Sequence, residues 1–323
     1  MKRRELLLAV LLAPLPGRAQ APKRIGVVQF PGGMMNRQMP GGRAFVDAMR
    51  ELGYVEGRDY VFDERLWTRQ EDIPALMRKL IAERADLIVA AAPPSIVGAK
   101  AATTKVPVVM MYSAEPVAMG LVASLARPGG NITGLTWDHG FETSLKTLEL
   151  LKEALPRLRR VALVWDGTDS VHPFYAGYFD KAAPQIGLAL TSVELRDAAG
   201  IERGVARLRA EQAEAVVILP SGQITIPNMK AILALAMQAR IPALVNIVAR
   251  EYEDALMYYG PNLGNMPRRA AAYVDRILRG GNPAEIPIEQ PDKYDLVVDL
   301  RAARKLGIAV PSSVRVRADR VIE

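Results

Sequence analysis

Beyond residue 22 the chain alternates short β-branched apolar runs with longer stretches whose apolar residues recur at helical spacing. Residues 25–30 (Ile25-Gly26-Val27-Val28-Gln29-Phe30) read as a strand, followed by a Gly/Pro loop and a helix over 42–52. A second strand is predicted over 59–64. Residues 73–85 place apolar side chains at i, i+3, i+4 and i+7, which predicts an amphipathic helix. Leu87-Ile88-Val89-Ala90-Ala91 is apolar throughout, the pattern of a strand covered on both faces in a parallel sheet. A helix over 94–103 and a strand over 106–110 complete a βαβαβ array, which predicts a doubly wound α/β lobe.

The array then starts again. Val161-Ala162-Leu163-Val164-Trp165 is a strand, followed by a helix over 174–187, a strand over 190–195 and a helix over 201–211. Residues 215–219 form another buried strand, and a helix over 228–239 leads into a strand at 243–245. Both halves enter the corresponding strand through a basic, β-branched, proline step: Lys105-Val106-Pro107 in the first and Arg240-Ile241-Pro242 in the second. Proline holds its predecessor extended and suits the start of a strand. Between the halves, Pro128-Gly129-Gly130 turns into a short strand over 131–136 that would cross from one lobe to the other, ahead of a helix over 141–155. The fold class read from this pattern is α/β, with two doubly wound Rossmann-like lobes.

The first twenty residues break the pattern. Lys2, Arg3 and Arg4 precede a short apolar run over 6–12, and Gly17-Arg18-Ala19 supplies small residues for a cleavage site, with Ala21 as a second option. That order predicts a signal peptide over 1–21, exported by the general or the twin-arginine route, and a periplasmic mature chain. The run is too short to span a bilayer, so no membrane insertion of the mature chain is expected. The sequence has no cysteine, which excludes disulfides, thiol catalysis and a lipoprotein anchor. Net charge falls from +7 to +4 once residues 1–21 are set aside, and its Arg and Lys are interspersed with Asp and Glu. Nucleic-acid binding would need a basic stripe with interleaved aromatics, so no nucleic-acid partner is expected.

Open α/β sheets bind ligands beyond the carboxyl ends of their strands, so two facing lobes predict a cleft walled by the loops after Phe30, Ala91, Met111, Trp165, Leu219 and Val245. Those loops are poor in catalysts. The chain has two histidines, His139 and His172, and lacks a nucleophile elbow, a phosphate-binding loop and metal-ligand spacings. No enzyme activity, cofactor or metal is expected. The loops offer hydroxyls and helix starts instead. Pro93-Pro94-Ser95 opens a helix straight after a buried strand, placing backbone N–H groups at the cleft, or forming an ordinary cap. Tyr112-Ser113-Ala114-Glu115 does the same after the next strand, with Glu115 receiving a ligand ammonium or complementing the helix dipole. Asp166, Thr168 and Asp169 offer further acceptors from the second half. Phe30, Tyr112, Trp165, Tyr258 and Tyr259 all fall at predicted strand ends, where at least two should touch ligand. Met34, Met35 and Met39 in the loop over 31–42 could form an adaptable apolar wall.

Several segments carry a family resemblance. They include Leu52-Gly53-Tyr54-Val55-Glu56-Gly57-Arg58, Glu115-Pro116-Val117, the run Gly120-Leu121-Val122 through Arg127-Pro128-Gly129-Gly130-Asn131-Ile132-Thr133-Gly134, Tyr259-Gly260-Pro261, and Arg317-Ala318-Asp319. Together they resemble the ABC-transporter substrate-binding family related to tryptophan/tyrosine-binding proteins. The resemblance implies the type I periplasmic-binding-protein fold with a three-crossing hinge. Lobe one would take 22–135 with about 262–290, and lobe two 136–261 with about 291–323. It implies that a helix over 266–278 returns to lobe one and that a last strand near Leu296 rejoins lobe two. The expected pocket residues are then Phe30, Pro94, Ser95, Tyr112, Ser113, Glu115, Asp166, Thr168, Asp169, Ser221, Asn246 and Tyr259. The chain departs from the family at Ala92-Pro93-Pro94, Glu115-Pro116 and Asp166-Gly167-Thr168, which loosens the tie to an aromatic amino acid as ligand. The expected function is a monomeric receptor of an ABC importer, holding a small molecule (an amino acid, an aromatic or another amphipathic carboxylate) and passing it to an inner-membrane ABC permease. A periplasmic sensor serving a membrane signalling protein is the alternative.

Overall fold

A computed structural model describes residues 21–323 apart from 114, 138–139, 249–251, 262 and 292. Residues 1–20 of the signal peptide expected over 1–21, and His139, lie outside the described residues. The first lobe runs β1 (Lys23–Gln29), α1 (Pro40–Glu51), β2 (Tyr60–Leu66), α2 (Ile73–Ala82), β3 (Leu87–Ala90), α3 (Pro93–Ala102), β4 (Val108–Ser113) and β5 (Ile132–Thr136). Its five strands are parallel, in the order β2-β1-β3-β4-β5. Alternation along β1 explains the layering. Ile25 and Val27 join the core with Phe45 and Met49 of α1, while Val28 joins Met77 and Leu80 of α2 on the other face. β3 and β4 are buried at every position, as two covered faces require.

The second lobe continues with α4 (Phe141–Ala154), β6 (Arg160–Asp166), α5 (His172–Ala182), β7 (Ala189–Leu195), α6 (Gly200–Ala210), β8 (Ala215–Ile218), α7 (Thr225–Gln238), β9 (Ala243–Val245) and β10 (Met257–Pro261). α8 (Met266–Leu278) then packs on α1, β4 and β5 of the first lobe. The chain returns through Ile286, whose carbonyl accepts from Thr133 Oγ1 at 2.7 Å, to β11 (Tyr294–Asp299), α9 (Leu300–Leu306), α10 (Ser312–Arg317) and β12 (Arg320–Ile322). The second sheet is ordered β12-β11-β10-β9-β8-β6-β7 and is parallel except where β11 lies antiparallel to β10. The two-lobed α/β architecture expected from the sequence is present.

Two helices of the second lobe start earlier than the sequence pattern predicts. α5 starts at His172 and α7 at Thr225, because Pro173 and Pro227 sit in first turns that need no N–H from them. α5 ends at Ala182, and a 3-10 turn over Ala183–Ile186 closes on Gly187 in the left-handed region. β4 starts two residues later than predicted and runs on to Ser113. At Gly134 (φ 131°) the two last strands of the first sheet touch: a Cβ there would stand 2.1 Å from the Met110 carbonyl oxygen, so only glycine fits.

Candidate functional site

Loops from the carboxyl ends of both sheets enclose a cavity of ≈ 440 Å³. The first lobe contributes Phe30 after β1, Trp67 after β2, Pro93 and Pro94 after β3, and Tyr112 of β4. The second contributes Asp169, Val171 and His172 after β6, the turn Ser221-Gly222-Gln223 after β8, and Ile247 and Tyr252 after β9. Met34 and Met39 complete the wall, and Met35 is buried behind it with its N–H donating to Gln29 Oε1 at 3.0 Å. A more open groove adjoins the cavity at Phe30, Trp67, Gly222 and Tyr252 and adds Arg69, Gln70, Glu71, Thr168, Arg196 and Lys230.

The two lobes are clasped at this mouth. Gln70 Nε2 donates to the Thr168 carbonyl and to Gln223 Oε1, both at 2.9 Å, and the Thr168 hydroxyl lies 2.6 Å from the same Gln223 oxygen. Gly222 lies so close to Phe30 that a Cβ would come within 2.5 Å of the ring. Phe30 in turn meets Trp67 edge-on at 5.8 Å between ring centroids, and Tyr112 meets Trp137 at 5.9 Å.

Asp166 organises the second-lobe wall without lining it. Its Oδ1 accepts from the Thr168 N–H (2.8 Å) and its Oδ2 from Ser221 Oγ (2.7 Å), which ties the loop after β6 to the loop after β8. The Asp166 N–H donates to His172 Nδ1 at 2.9 Å, so the ring is the tautomer whose Nε2–H faces the Pro220 carbonyl at 3.2 Å. Both nitrogens of His172 are therefore occupied. Asp169 is different. It is 8 % exposed, its Oδ1 accepts among the described residues only the Val171 N–H, at 3.0 Å, and burial pushes its carboxyl above the usual carboxylate range. Burial likewise raises the Tyr112 phenol, with the nearby Asp169 charge adding to the shift.

The sequence candidates divide. Phe30, Pro94, Tyr112, Asp169 and Ser221 stand on the cavity wall, and Thr168 stands in the outer groove. Ser95 is fully buried behind the wall, where its hydroxyl accepts from Trp67 Nε1 at 2.9 Å. Ser113 is turned inward, its carbonyl accepting from Thr136 Oγ1 at 2.6 Å. Glu115 takes a left-handed backbone (φ 47°), and its carbonyl accepts from the Met119 N–H, away from the cavity. Asn246 is buried between Thr147 and Tyr259, and Tyr259 packs on Tyr294 within the second lobe. Of the helix start at 93–95, the two prolines carry no N–H, so Ser95 is its first residue with one. Of the five strand-end aromatics, Phe30 and Tyr112 reach the cavity. Trp165 donates to Ser192, and the buried Tyr258 hydroxyl instead donates to the Tyr252 carbonyl. Trp67, Tyr175 and Tyr252 were not anticipated. Trp67 lies just past a strand that ends two residues later than its pattern suggested, and Tyr252 lies in an irregular loop.

The sequence model of the family described as ABC transporter substrate binding protein matches residues 25–322. The chain belongs to this family. It is 25% identical over 268 residues to a tyrosine-binding protein of Clostridioides difficile, covering 80% of this chain and 73% of that protein. Its fold is similar to that of an ABC domain from Streptococcus pneumoniae solved in complex with L-Trp, with TM-score 0.84, 22% identity, and coverage of 93% of this chain and 100% of that one. It is also similar to a ligand-free, open substrate binding protein with adhesive properties from Clostridium difficile, with TM-score 0.68, 21% identity, and coverage of 93% and 99%. Family membership makes this a substrate-binding protein, and among the described residues no helix is long and apolar enough to cross a membrane.

Proposed function

We propose that the chain is the periplasmic receptor of an ABC importer, capturing a small molecule between its lobes and presenting the closed form, as a monomer, to an inner-membrane permease. The observation that carries this reading is the enclosed cavity whose wall is shared by both lobes. A ligand that touches both walls binds the closed form better than the open one, and that difference in affinity is what drives closure. Lobe one comprises 22–135 and about 262–290, lobe two 136–261 and about 291–323, with hinge movement at the crossings. Phe30, Pro94, Tyr112, Asp169 and Ser221 contact the ligand, joined by Trp67 and Tyr252, while Thr168 guards the mouth. The relatives that bind tyrosine and L-Trp support an aromatic-sized cargo. Export on a cleaved signal peptide over 1–21 belongs to the same reading.

Native mass spectrometry of freshly purified protein tests the receptor role. A stoichiometric small molecule that is lost on unfolding and restored by adding it back is the expected result. A chain that carries nothing and binds nothing from a concentrated extract of small metabolites overturns it.

A further inference from the structure

The charged and polar groups around the cavity are unevenly matched. Among the described residues no lysine or arginine lines it. His172 has both ring nitrogens engaged, and α3 opens with two prolines that have no N–H to offer an anion. Among the described residues the one formally charged side chain on the wall is Asp169, at most one-tenth exposed, with a single backbone N–H as hydrogen-bond partner and no lysine or arginine paired with it. Next to it the Tyr112 hydroxyl, equally buried, has no hydrogen-bond partner among the described residues. Around this pair stand the rings of Phe30, Trp67, Trp137 and Tyr252. A buried carboxylate without a counter-ion is costly, and aromatic faces attract cations. In the outer groove Arg69 pairs with Glu71 and Asp72, and Arg196 with Glu194. Those two arginines are therefore neutralised, and Lys230 stands exposed at the rim.

We infer that the cargo is an organic ammonium ion on an apolar, aromatic-sized body, with its N–H groups received by Asp169 and Tyr112, and that a carboxylate on the ligand is disfavoured. This rests on the receptor reading above and narrows its ligand class from amphipathic carboxylates to amines. In chemical terms the site is the counter-ion half of a buried ion pair whose other half arrives with the ligand.

Three probes sharing one indole body test it by titration calorimetry on protein stripped by unfolding and refolding: tryptamine, tryptophan and indole-3-propionate. The expected order is tryptamine first, tryptophan weaker and indole-3-propionate weakest. Asp169→Asn keeps the acceptor for the Val171 N–H, so the loop stays folded. Removing one charge of a buried pair should cost tryptamine about thirtyfold or more in affinity. Indole-3-propionate should not lose affinity in the same variant. Equal or tighter binding of tryptophan or indole-3-propionate by the wild type, or unchanged tryptamine binding by Asp169→Asn, overturns the inference while leaving the receptor role intact. Absence of tryptamine binding in protein that still retains another molecule by mass spectrometry overturns it as well.

Discussion

Gln70 and Gln223 meet across the cleft, the Nε2 of the first donating to the Oε1 of the second at 2.9 Å, and the same Nε2 reaches the Thr168 carbonyl. Each hydrogen bond exists only when the lobes are together. In the proposed receptor their free energy therefore enters the open–closed equilibrium and not the stability of either lobe.

Gln70→Ala should shift the unliganded protein toward the open form. A hydrogen bond contributes about 0.5–1.5 kcal/mol net, so the loss predicts a weakening of ligand affinity of roughly twofold to tenfold per bond, with the unfolding midpoint unchanged. Small-angle scattering of the unliganded variant should show a larger radius of gyration than the wild type. Identical scattering profiles would count against the clasp.

Gly222→Ala places a methyl group against the Phe30 ring from the opposite lobe. Overpacking costs about 1–3 kcal/mol, here charged to closure, so binding should weaken by about tenfold with little change in melting temperature. Pairing it with Phe30→Leu should restore part of the loss, measured as coupling in a double-mutant cycle.

Asp166→Ala leaves the buried Ser221 hydroxyl and the partly buried Thr168 N–H without their acceptor, while the exposed Thr168 hydroxyl keeps Gln223 Oε1. Each orphaned group costs about 1–3 kcal/mol, and the sum should appear as a lower urea midpoint at an unchanged slope. Loss of binding without loss of stability would instead mean that Asp166 touches the ligand itself.

Ammonium binding needs an ionised Asp169, and burial raises that carboxyl in the empty protein. A bound cation lowers it again, so tryptamine affinity is fully present above the raised value and is lost as pH falls through it. The groups facing Asp169 are Tyr112, which stays protonated throughout that range, Asp166 with its hydroxyl and amide donors, and His172 with both ring nitrogens engaged. Calorimetry from neutral pH downward should show the fall in the wild type and a flat profile in Asp169→Asn.

Much of this site is written in local patterns and some of it is not. The strands are legible because β3 and β8 are apolar throughout, and their ends locate Phe30, Tyr112, Asp169 and Ser221. Side-chain direction is not legible at a strand end, where one residue decides which face is taken. Ser113 turns into the core next to Tyr112, which reaches the cavity, and Asn246 turns away from Ile247 in the same manner. Trp67 and Tyr252 sit in irregular backbone held by bonds outside any helix or strand ladder, the Trp67 N–H on the Gln29 carbonyl and the Tyr252 carbonyl under the Tyr258 hydroxyl. No periodicity marks such positions. The proline pair at 93–94 was read as a helix start, which it is, yet its chemistry is the absence of donors.

The return of α8 to the first lobe sets a schedule for folding. Tyr54, just past the end of α1, donates to Asp275 at 2.9 Å across 221 residues of chain, and the second sheet waits for β11 and β12 near the C-terminus. Neither lobe can complete its core while the last fifty residues are still in the ribosome or in a translocation channel, so loop-closure entropy falls late and on both lobes at once. A chain threaded unfolded across a membrane would reach the far side with two half-built sheets and exposed apolar strands, the species on which a chaperone acts. A chain exported folded would have to finish both lobes before it left.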